Sequence, residues 1–192
     1  MTLRFAALTL AAALVTGTAA SAMTLRPARP PAGNATLTVT SADFTNGAPL
    51  PLWTGFKACG GQNVSPALHW TKGPAKTKSY VVTIFDPDAP TGVGFWHWTL
   101  FDVPASVTSL PKNYGAHVMP PATAGYTDYG LSGYQGPCPP NGDPPHHYHI
   151  TVSALDVATI PGGGPGTTGA VLSFGTPEHV IARGEIVGTY KR

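Results

Sequence analysis

The sequence predicts an all-β sandwich that carries short helices at most. Turn formers are abundant, with 23 glycines and 21 prolines, whereas charged residues make up only 10% of the chain. This balance suits a loop-rich β protein better than a helical one. Short apolar runs alternate with long turns, and no repeat or heptad pattern occurs. Many short strands between long turns are typical of a sandwich.

The first 22 residues are predicted to be a signal peptide rather than part of the fold. Arg4 precedes an apolar run over residues 5–15, and the segment ends with Ala20-Ser21-Ala22, a small-residue cleavage pattern. The alternative is an uncleaved anchor, but the apolar run is short for spanning a bilayer. We therefore expect export, cleavage near Ala22, and a periplasmic or secreted protein.

The remaining elements follow in order along the chain. Residues 23–34 are expected to form an extended proline-rich arm, and residues 35–192 a single domain. Alternation and β-type composition predict strands at residues 35–40, 67–70, 79–85, 98–103, 148–155 and 185–190. Prolines exclude a long helix over residues 104–129, and about one helical turn each is predicted at 170–174 and 177–182.

The charge balance excludes two classes of partner. Eleven basic side chains stand against nine acidic ones, which gives a formal net charge of +2. A nucleic-acid-binding protein or a protein held on an anionic membrane surface needs a much larger positive excess. The sequence therefore predicts neither partner.

Two cysteines, Cys59 and Cys138, remain in the exported chain. In an oxidising compartment such a pair favours a disulfide over two free thiols. Metal ligation by the pair is the minor alternative, because no C-x-x-C spacing occurs. A disulfide would hold the proline-rich loop that contains Cys138.

Two stiff loops deliver ionisable side chains to the ends of predicted strands. The first, residues 86–98, reads DPDAPTGVGFWHW, and the second, residues 136–148, reads GPCPPNGDPPHHY. Their prolines fix φ and remove backbone donors, which ends the strands and stiffens the loops. The ionisable side chains in question are Asp86, Asp88, His97, His146 and Tyr148. We expect the two loops to form one site.

Together these motifs resemble the phosphatidylethanolamine-binding protein family, also called Raf kinase inhibitor-like. The resemblance covers nearly the whole mature chain. It rests on DPDAP at 86–90, His97-Trp98, GPCPP at 136–140 and His146-His147-Tyr148. Ser65-Pro66-Ala67-Leu68-x-Trp70 and Val187-Gly188-Thr189-Tyr190 are similar to the bacterial branch. The resemblance implies a sandwich around a large central antiparallel sheet, with a small cavity for phosphate-like anions or phospholipid headgroups.

The resemblance also implies which residues line the cavity. The matching positions are Asp86, Asp88, His97, Gly136, Pro139, His146 and Tyr148. Animal members of the family close the cavity with a longer C-terminal helix. This sequence stops soon after Tyr190, so selectivity by such a helix is not carried over to it.

The chemistry of these residues suits an anion. His97, His146 and Tyr148 can donate hydrogen bonds, and exposed amides at Gly136 and Cys138 would add more. Two ionised aspartates would repel the anion, so we hypothesise that at least one accepts from a histidine ring or from loop amides. Affinity should then rise as the pH falls through about 6.5. Alternatively, an ethanolamine ammonium would sit against the free carboxylate.

Simpler roles are open to several of the same residues. Asp86 and Asp88 precede prolines, where an aspartate often only forms a local turn. His97 lies between two tryptophans, as a buried structural histidine would. His147 and His149 alternate with the site residues along the strand, so we expect them to be exposed on its opposite face.

The sequence thus favours a binding protein without catalytic residues, metal or cofactor. One alternative is a protein inhibitor of the peptidase or kinase type, a role that the family implies and that would use a protein surface. The other is a metal-dependent hydrolase using His97, His146 and Asp86. No G-x-S-x-G or H-E-x-x-H motif supports catalysis. The edges of a sandwich would also allow a homodimer.

Overall fold

A computed structural model describes residues 35–192 of the protein. Two sheets enclose the main hydrophobic core between them, which confirms the predicted all-β sandwich. The signal peptide predicted for residues 1–22 and the arm predicted for 23–34 lie outside the described residues. Within residues 35–192, no helix is both long enough and apolar enough to cross a membrane.

The described part of the chain contains nine strands and one α-helix. The strands are β1 (Ala35–Thr36), β2 (Val39–Thr40), β3 (Leu68–Trp70), β4 (Ser79–Asp86), β5 (Phe95–Pro104), β6 (Ser109–Leu110), β7 (Thr123–Ala124), β8 (His146–Leu155) and β9 (Val180–Tyr190). The helix α1 spans Gly169–Gly175 and is followed by a 3-10 turn at Pro177–His179. Both lie close to the predicted helical turns. Other 3-10 turns lie at Leu52–Thr54, Lys57–Cys59 and Tyr114–Ala116.

The larger sheet has six strands in the order β1-β9-β8-β4-β5-β7, and the smaller has the order β2-β3-β6. All neighbours are antiparallel except β1, which runs parallel to β9. The central strand β4 is buried along its whole length. Its Tyr80, Val82 and Ile84 enter the core between the sheets, whereas Val81 joins a second cluster with Leu172 of α1.

The single strand predicted over residues 35–40 is in fact two short strands in different sheets. β1 pairs with β9 of the larger sheet, and β2 pairs with β3 of the smaller one. The chain crosses at Leu37, whose N–H donates to the carbonyl of Arg183 over 2.9 Å. Gly184 permits this crossing, because any side chain there would collide with the backbone of Leu37.

A β-bulge in β5 turns His97 toward Tyr148. Consecutive residues of β4 pair with Trp98 and then with Trp96, so His97 is the extra residue between them. Such an extra residue breaks the alternation of side chains and can re-aim one of them. Trp96 faces α1, where it lies against Gly169. His97 instead lies with its ring centroid 5.1 Å from that of Tyr148.

Candidate ligand-binding site

The candidate site lies where three strands of the larger sheet begin or end. Asp86 is the last residue of β4, His97 is the third residue of β5, and Tyr148 is the third residue of β8. Since β4 is antiparallel to both neighbours, its end lies beside the starts of β5 and β8. All three side chains are buried. The fold therefore brings the two predicted loops to one place.

Asp86 and His146 form a buried acid–base pair in this site. Asp86 Oδ2 accepts from His146 Nδ1 over 2.8 Å, and Asp86 Oδ1 accepts from the backbone N–H of Asp88 over 2.9 Å. His146 Nε2 lies 3.4 Å from Oδ2 of Asp143. A protonated His146 ring would donate to both carboxylates, whereas a neutral ring donates only to Asp86. Asp86 thus accepts from both kinds of partner that the hypothesis offered, a histidine ring and a loop amide, and it forms the local turn as well.

In its neutral form, His97 has an acceptor rather than a donor available for a ligand. Its Nδ1 lies 2.9 Å from the carbonyl oxygen of Gln135, and because a carbonyl only accepts, Nδ1 carries the proton. Nε2 then holds a lone pair; the backbone of Gly136 also lies near the ring, and no other group among residues 35–192 is hydrogen-bonded to it. Burial lowers the pKa of His97, since the loss of hydration outweighs the hydrogen bonds to the backbone and the attraction of Asp86. This differs from the donor role that the sequence suggested.

Tyr148 holds an unused hydrogen-bond donor inside the site. Its hydroxyl is buried and has no hydrogen-bond partner within the described part of the chain. Burial, followed by the negative charge of Asp86 and the closeness of that carboxylate to the hydroxyl, raises the pKa of Tyr148, so the hydroxyl keeps its proton at physiological pH. A buried donor without a partner costs about 1–3 kcal/mol. An oxygen atom of a ligand would remove that cost.

Aromatic rings form one wall of the site. The ring centroid of Tyr129 lies 4.6 Å from that of Phe56, 4.8 Å from that of Phe95 and 5.8 Å from that of His97. Phe95 also lies 5.0 Å from His97. These contacts leave Phe56 and Tyr129 half-buried. The wall therefore offers a partly exposed π surface beside the buried polar groups.

A cation stands at the edge of this wall. Arg192 Nε donates to the carbonyl of Pro139 over 2.7 Å, which anchors the guanidinium to the second loop. Burial and the charge of Asp86 raise the pKa of Tyr129, while the positive charge of Arg192 acts in the opposite direction. Arg192 is thus close enough to Tyr129 to influence its hydroxyl, and it adds positive potential to the site.

Asn63 holds the second loop in position. Its Oδ1 accepts from the N–H of Gly136 over 2.7 Å, and its Nδ2 donates to the carbonyl of Tyr134 over 3.0 Å. Nδ2 also lies 3.3 Å from Oε1 of Gln135. Asn63 has φ 57°, a conformation that asparagine adopts more readily than most residues. The Gly136 amide is therefore already bonded and is not the free donor expected from the sequence.

Cys59 and Cys138 form the predicted disulfide, with their Cα atoms 5.7 Å apart. The bridge joins the 3-10 turn Lys57–Cys59 to the second loop. Beside it, the N–H of Phe56 donates to the carbonyl of Pro137 over 2.9 Å. The second loop is thus tied to the segment before β3 by a covalent bond and by hydrogen bonds.

Asp88 lies outside the buried site, in contrast to Asp86. Its Oδ2 accepts from the backbone N–H and the Nδ1 of His147 over 2.8 and 2.7 Å. Partial burial would raise the pKa of Asp88, but these hydrogen bonds outweigh it and lower the pKa. The side chains of Asp88 and His147 remain 42% and 54% exposed. Asp88 is therefore a rim residue rather than part of the cavity floor.

The expectation for the other two histidines of β8 is half right. His147 is exposed, as predicted. His149 is buried, and its Nδ1 lies 3.1 Å from Oε2 of Glu185, so the prediction that it is exposed was wrong. β8 is an interior strand between β4 and β9, and its outer face is covered at this level, as the burial of Thr151 also shows.

The geometry does not arrange the predicted residues as a metal centre. Within residues 35–192, no group of three or more His, Cys, Asp or Glu side chains is spaced to hold a metal ion. The set of His97, His146 and Asp86, considered for a hydrolase, is instead linked by hydrogen bonds to protein atoms.

An open groove of about 410 Å³ elsewhere on the surface is a weaker candidate. Its lining includes Thr123 and Ala124 of β7 together with Ser132 and Pro165, and no ionisable side chain lines it. A groove without charge or a titratable group offers little to fix a polar ligand. The strand-end site therefore has the stronger chemistry.

Sequence reasoning missed four residues that shape the site: Phe56, Asn63, Tyr129 and Arg192. None of them lies in the two proline-rich loops. The predicted disulfide was the one available signal, because it brings the segment around Cys59 against the second loop. The disulfide therefore indicated the neighbourhood of Phe56 and Asn63, but it gave no indication of Tyr129 or Arg192.

The lowered pKa of His97 predicts how stability depends on pH. The unfolded chain protonates His97 below about pH 6.5, whereas the folded chain resists protonation, so stability falls as the pH falls. We expect this residue to contribute a loss of up to about 1.4 kcal/mol between pH 7.5 and 5.5. Urea unfolding of the wild type and of His97→Gln at both pH values measures it.

The wild type should therefore lose more stability than His97→Gln on acidification. His69→Gln, at an exposed strand position, controls for the loss of an imidazole ring. An equal loss in the wild type and in His97→Gln would contradict the assignment.

The sequence and the fold resemble those of known proteins. Residues 40–191 match the family model described as phosphatidylethanolamine-binding protein. The UPF0098 protein YbcL of Escherichia coli (strain K12) is 41% identical over 160 residues, which cover 80% of this chain and 86% of that protein. YbhB of the same strain is 41% identical over 155 residues, covering 78% and 97%. The crystal structure of E. coli YbcL superposes with a TM-score of 0.78 at 40% identity, covering 82% of this chain and 99% of that one.

Proposed function

Because the chain belongs to the phosphatidylethanolamine-binding protein family, we propose that it is an exported binding protein without catalytic activity. Its strand-end site takes a small phosphate-like anion or a phospholipid headgroup. The observation that carries the proposal is the buried Tyr148 hydroxyl, which has no hydrogen-bond partner among the described residues. A donor held in this way, beside a buried acid–base pair, is ready for an oxygen atom of a ligand.

The charges of the site favour a ligand with both signs. Asp86 accepts a 2.8 Å hydrogen bond from His146, which satisfies one carboxylate oxygen, and Arg192 adds positive charge at the edge. The half-buried rings of Phe56 and Tyr129 offer a π surface to an ammonium group. A phosphate near Tyr148 with an ethanolamine ammonium near this wall would satisfy all of these groups.

The Tyr148 hydroxyl would also donate to a phosphate or a C-terminal carboxylate of a partner protein. Binding of such a group would let the protein modulate its partner, so an inhibitor role would use the same site. Export through the predicted signal peptide would place such a partner in the periplasm or outside the cell.

Calorimetric titration with phosphorylethanolamine tests the proposal. Tyr148→Phe removes only the hydroxyl, so we expect its affinity to fall at least about tenfold, the loss of one hydrogen bond to a charged group. Since this hydroxyl has no protein partner, Tyr148→Phe should be at least as stable as the wild type. A loss of affinity without a loss of stability identifies a residue held for a ligand.

Tyr80→Phe is the matched control. Tyr80 is also fully buried in the core, but its hydroxyl already accepts from the N–H of Gly73 over 2.9 Å. This variant should lose stability and keep its affinity. If Tyr148→Phe binds phosphorylethanolamine as tightly as the wild type, or if the wild type binds no anion, the proposal is wrong.

A further inference from the structure

We propose that the site selects anions that carry a hydrogen-bond donor of their own, of the phosphomonoester class, over sulfate and phosphodiesters. The inference deepens the proposed function and rests on it. It follows from the positions of the protons on the side chains of the strand-end site.

The tautomer of His97 is fixed by the backbone. Its Nδ1 proton is directed at the Gln135 carbonyl, at 2.9 Å, which leaves Nε2 as an acceptor. The peptide group between Gln135 and Gly136 cannot turn easily, because Asn63 Oδ1 accepts from the Gly136 N–H over 2.7 Å. The ring therefore keeps an acceptor, rather than a donor, available for a ligand.

The side chains of the site offer more acceptors than free donors. Tyr148 supplies one donor without a partner, whereas His97 Nε2 and the carboxylate of Asp86 are acceptors. The Nδ1 proton of His146 is already directed at Asp86. A fully ionised oxoanion would leave Nε2 of His97 unpaired and would face the Asp86 carboxylate. An anion with one O–H group would donate to Nε2 and accept from Tyr148 with another oxygen.

In the alternative arrangement, His97 Nε2 itself takes up a proton and becomes a donor to the anion. The charged and titratable groups near the ring are Asp86 at the end of β4, Tyr148 on β8, and Asp128 and Tyr129 after β7, with His146 beside Asp86. The two aspartates favour an imidazolium, but burial opposes it more strongly, so the pKa of His97 is lowered. The proton shared with the ligand therefore comes with the ligand.

Phosphomonoesters are the class of anion that brings such a proton. A phosphomonoester has a second pKa of about 6, so an O–H group is available near neutral pH. A phosphodiester has no O–H at these pH values, and neither has sulfate. The diester carries a single negative charge, so its rejection would reflect the missing proton rather than excess charge. The headgroup of an intact diester phospholipid is therefore a poorer fit than a free phosphomonoester.

Calorimetry with three ligands at pH 5.5 and 7.5 tests the proposal on the wild type. Phosphorylethanolamine, a monoester, should bind about 10- to 100-fold more tightly at pH 5.5 than glycerophosphoethanolamine, the matched diester, or sulfate. The monoester should bind about 25-fold more weakly at pH 7.5, as its protonated fraction falls. Diester affinity should change much less. The pair also separates a free phosphomonoester from a lipid-derived headgroup.

His97→Gln places an amide at this position, which can donate to any anion. Its preference for the monoester over the diester should shrink toward equality. Three outcomes overturn the inference: equal wild-type affinities for the monoester and the diester, sulfate binding that tightens at pH 5.5 as much as monoester binding, or a preference that survives in His97→Gln. Equal binding of all three ligands would leave the anion site standing. No binding by any of them would overturn both proposals.

Discussion

Replacing both Cys59 and Cys138 with serine is expected to lower the free energy of unfolding by about 4 kcal/mol. The disulfide closes a loop of 79 residues, and its removal gives the unfolded chain much more conformational freedom. Chemical denaturation of the wild type and of the double variant measures the difference. A change below about 1 kcal/mol would show that the bridge contributes little.

The double variant should still bind anions at temperatures where it is folded. The N–H of Phe56 still donates to Pro137, and Asn63 still accepts from Gly136, so the second loop keeps its place without the bridge. Reductant provides the control: it should destabilise the wild type and leave the double variant unchanged. Loss of binding by the folded double variant would mean that the bridge, rather than these hydrogen bonds, positions the loop.

Gly136→Ala is expected to cost about 3 kcal/mol, at the upper end of the usual range for overpacking. A Cβ at Gly136 would collide with the backbone of Thr54, Gly55 and Phe56, none of which can rotate away as a side chain can. The loop must therefore shift. Because the neighbouring Gln135 carbonyl fixes the ring of His97, anion affinity should fall together with stability.

Gly166→Ala is the matched control for this substitution. Gly166 has open space where a Cβ would stand and does not need a positive φ, so the change should stay within about 0.5 kcal/mol. Chemical unfolding and calorimetric titration with phosphorylethanolamine measure the stability and the anion affinity of both variants. Similar stabilities for Gly136→Ala and Gly166→Ala would contradict the tight contact between the second loop and residues 54–56.

The core strands were predictable because their burial leaves a pattern in the sequence. β4 and β8 are the two central strands of the larger sheet, and their long runs of β-branched and aromatic residues gave nearly correct bounds. Other features depend on pairing between distant segments. The split of residues 35–40 into two strands depends on Gly184, far along the chain. The bulge that turns His97 was likewise missed, because the strand prediction assumed that side chains alternate strictly between the two faces.

The candidate site was predictable where its residues lie at strand ends next to prolines. Asp86, His146 and Tyr148 follow from that rule, and the fold brings them together with His97. Proton positions were not predictable, because they depend on backbone groups such as the Gln135 carbonyl that no sequence pattern marks. The same holds for side chains that reach the site from other segments, as Arg192 does through a 2.7 Å bond to Pro139.

A crystal structure of the protein with phosphorylethanolamine at pH 5.5 is the most decisive test of the strand-end site. We expect the phosphate to lie within hydrogen-bond distance of the Tyr148 hydroxyl and of Nε2 of His97, with the ammonium toward the Tyr129 ring. Phosphate bound instead in the groove lined by Thr123 and Ser132, or on the exposed Asp88, would contradict it. So would an empty strand-end site at saturating ligand.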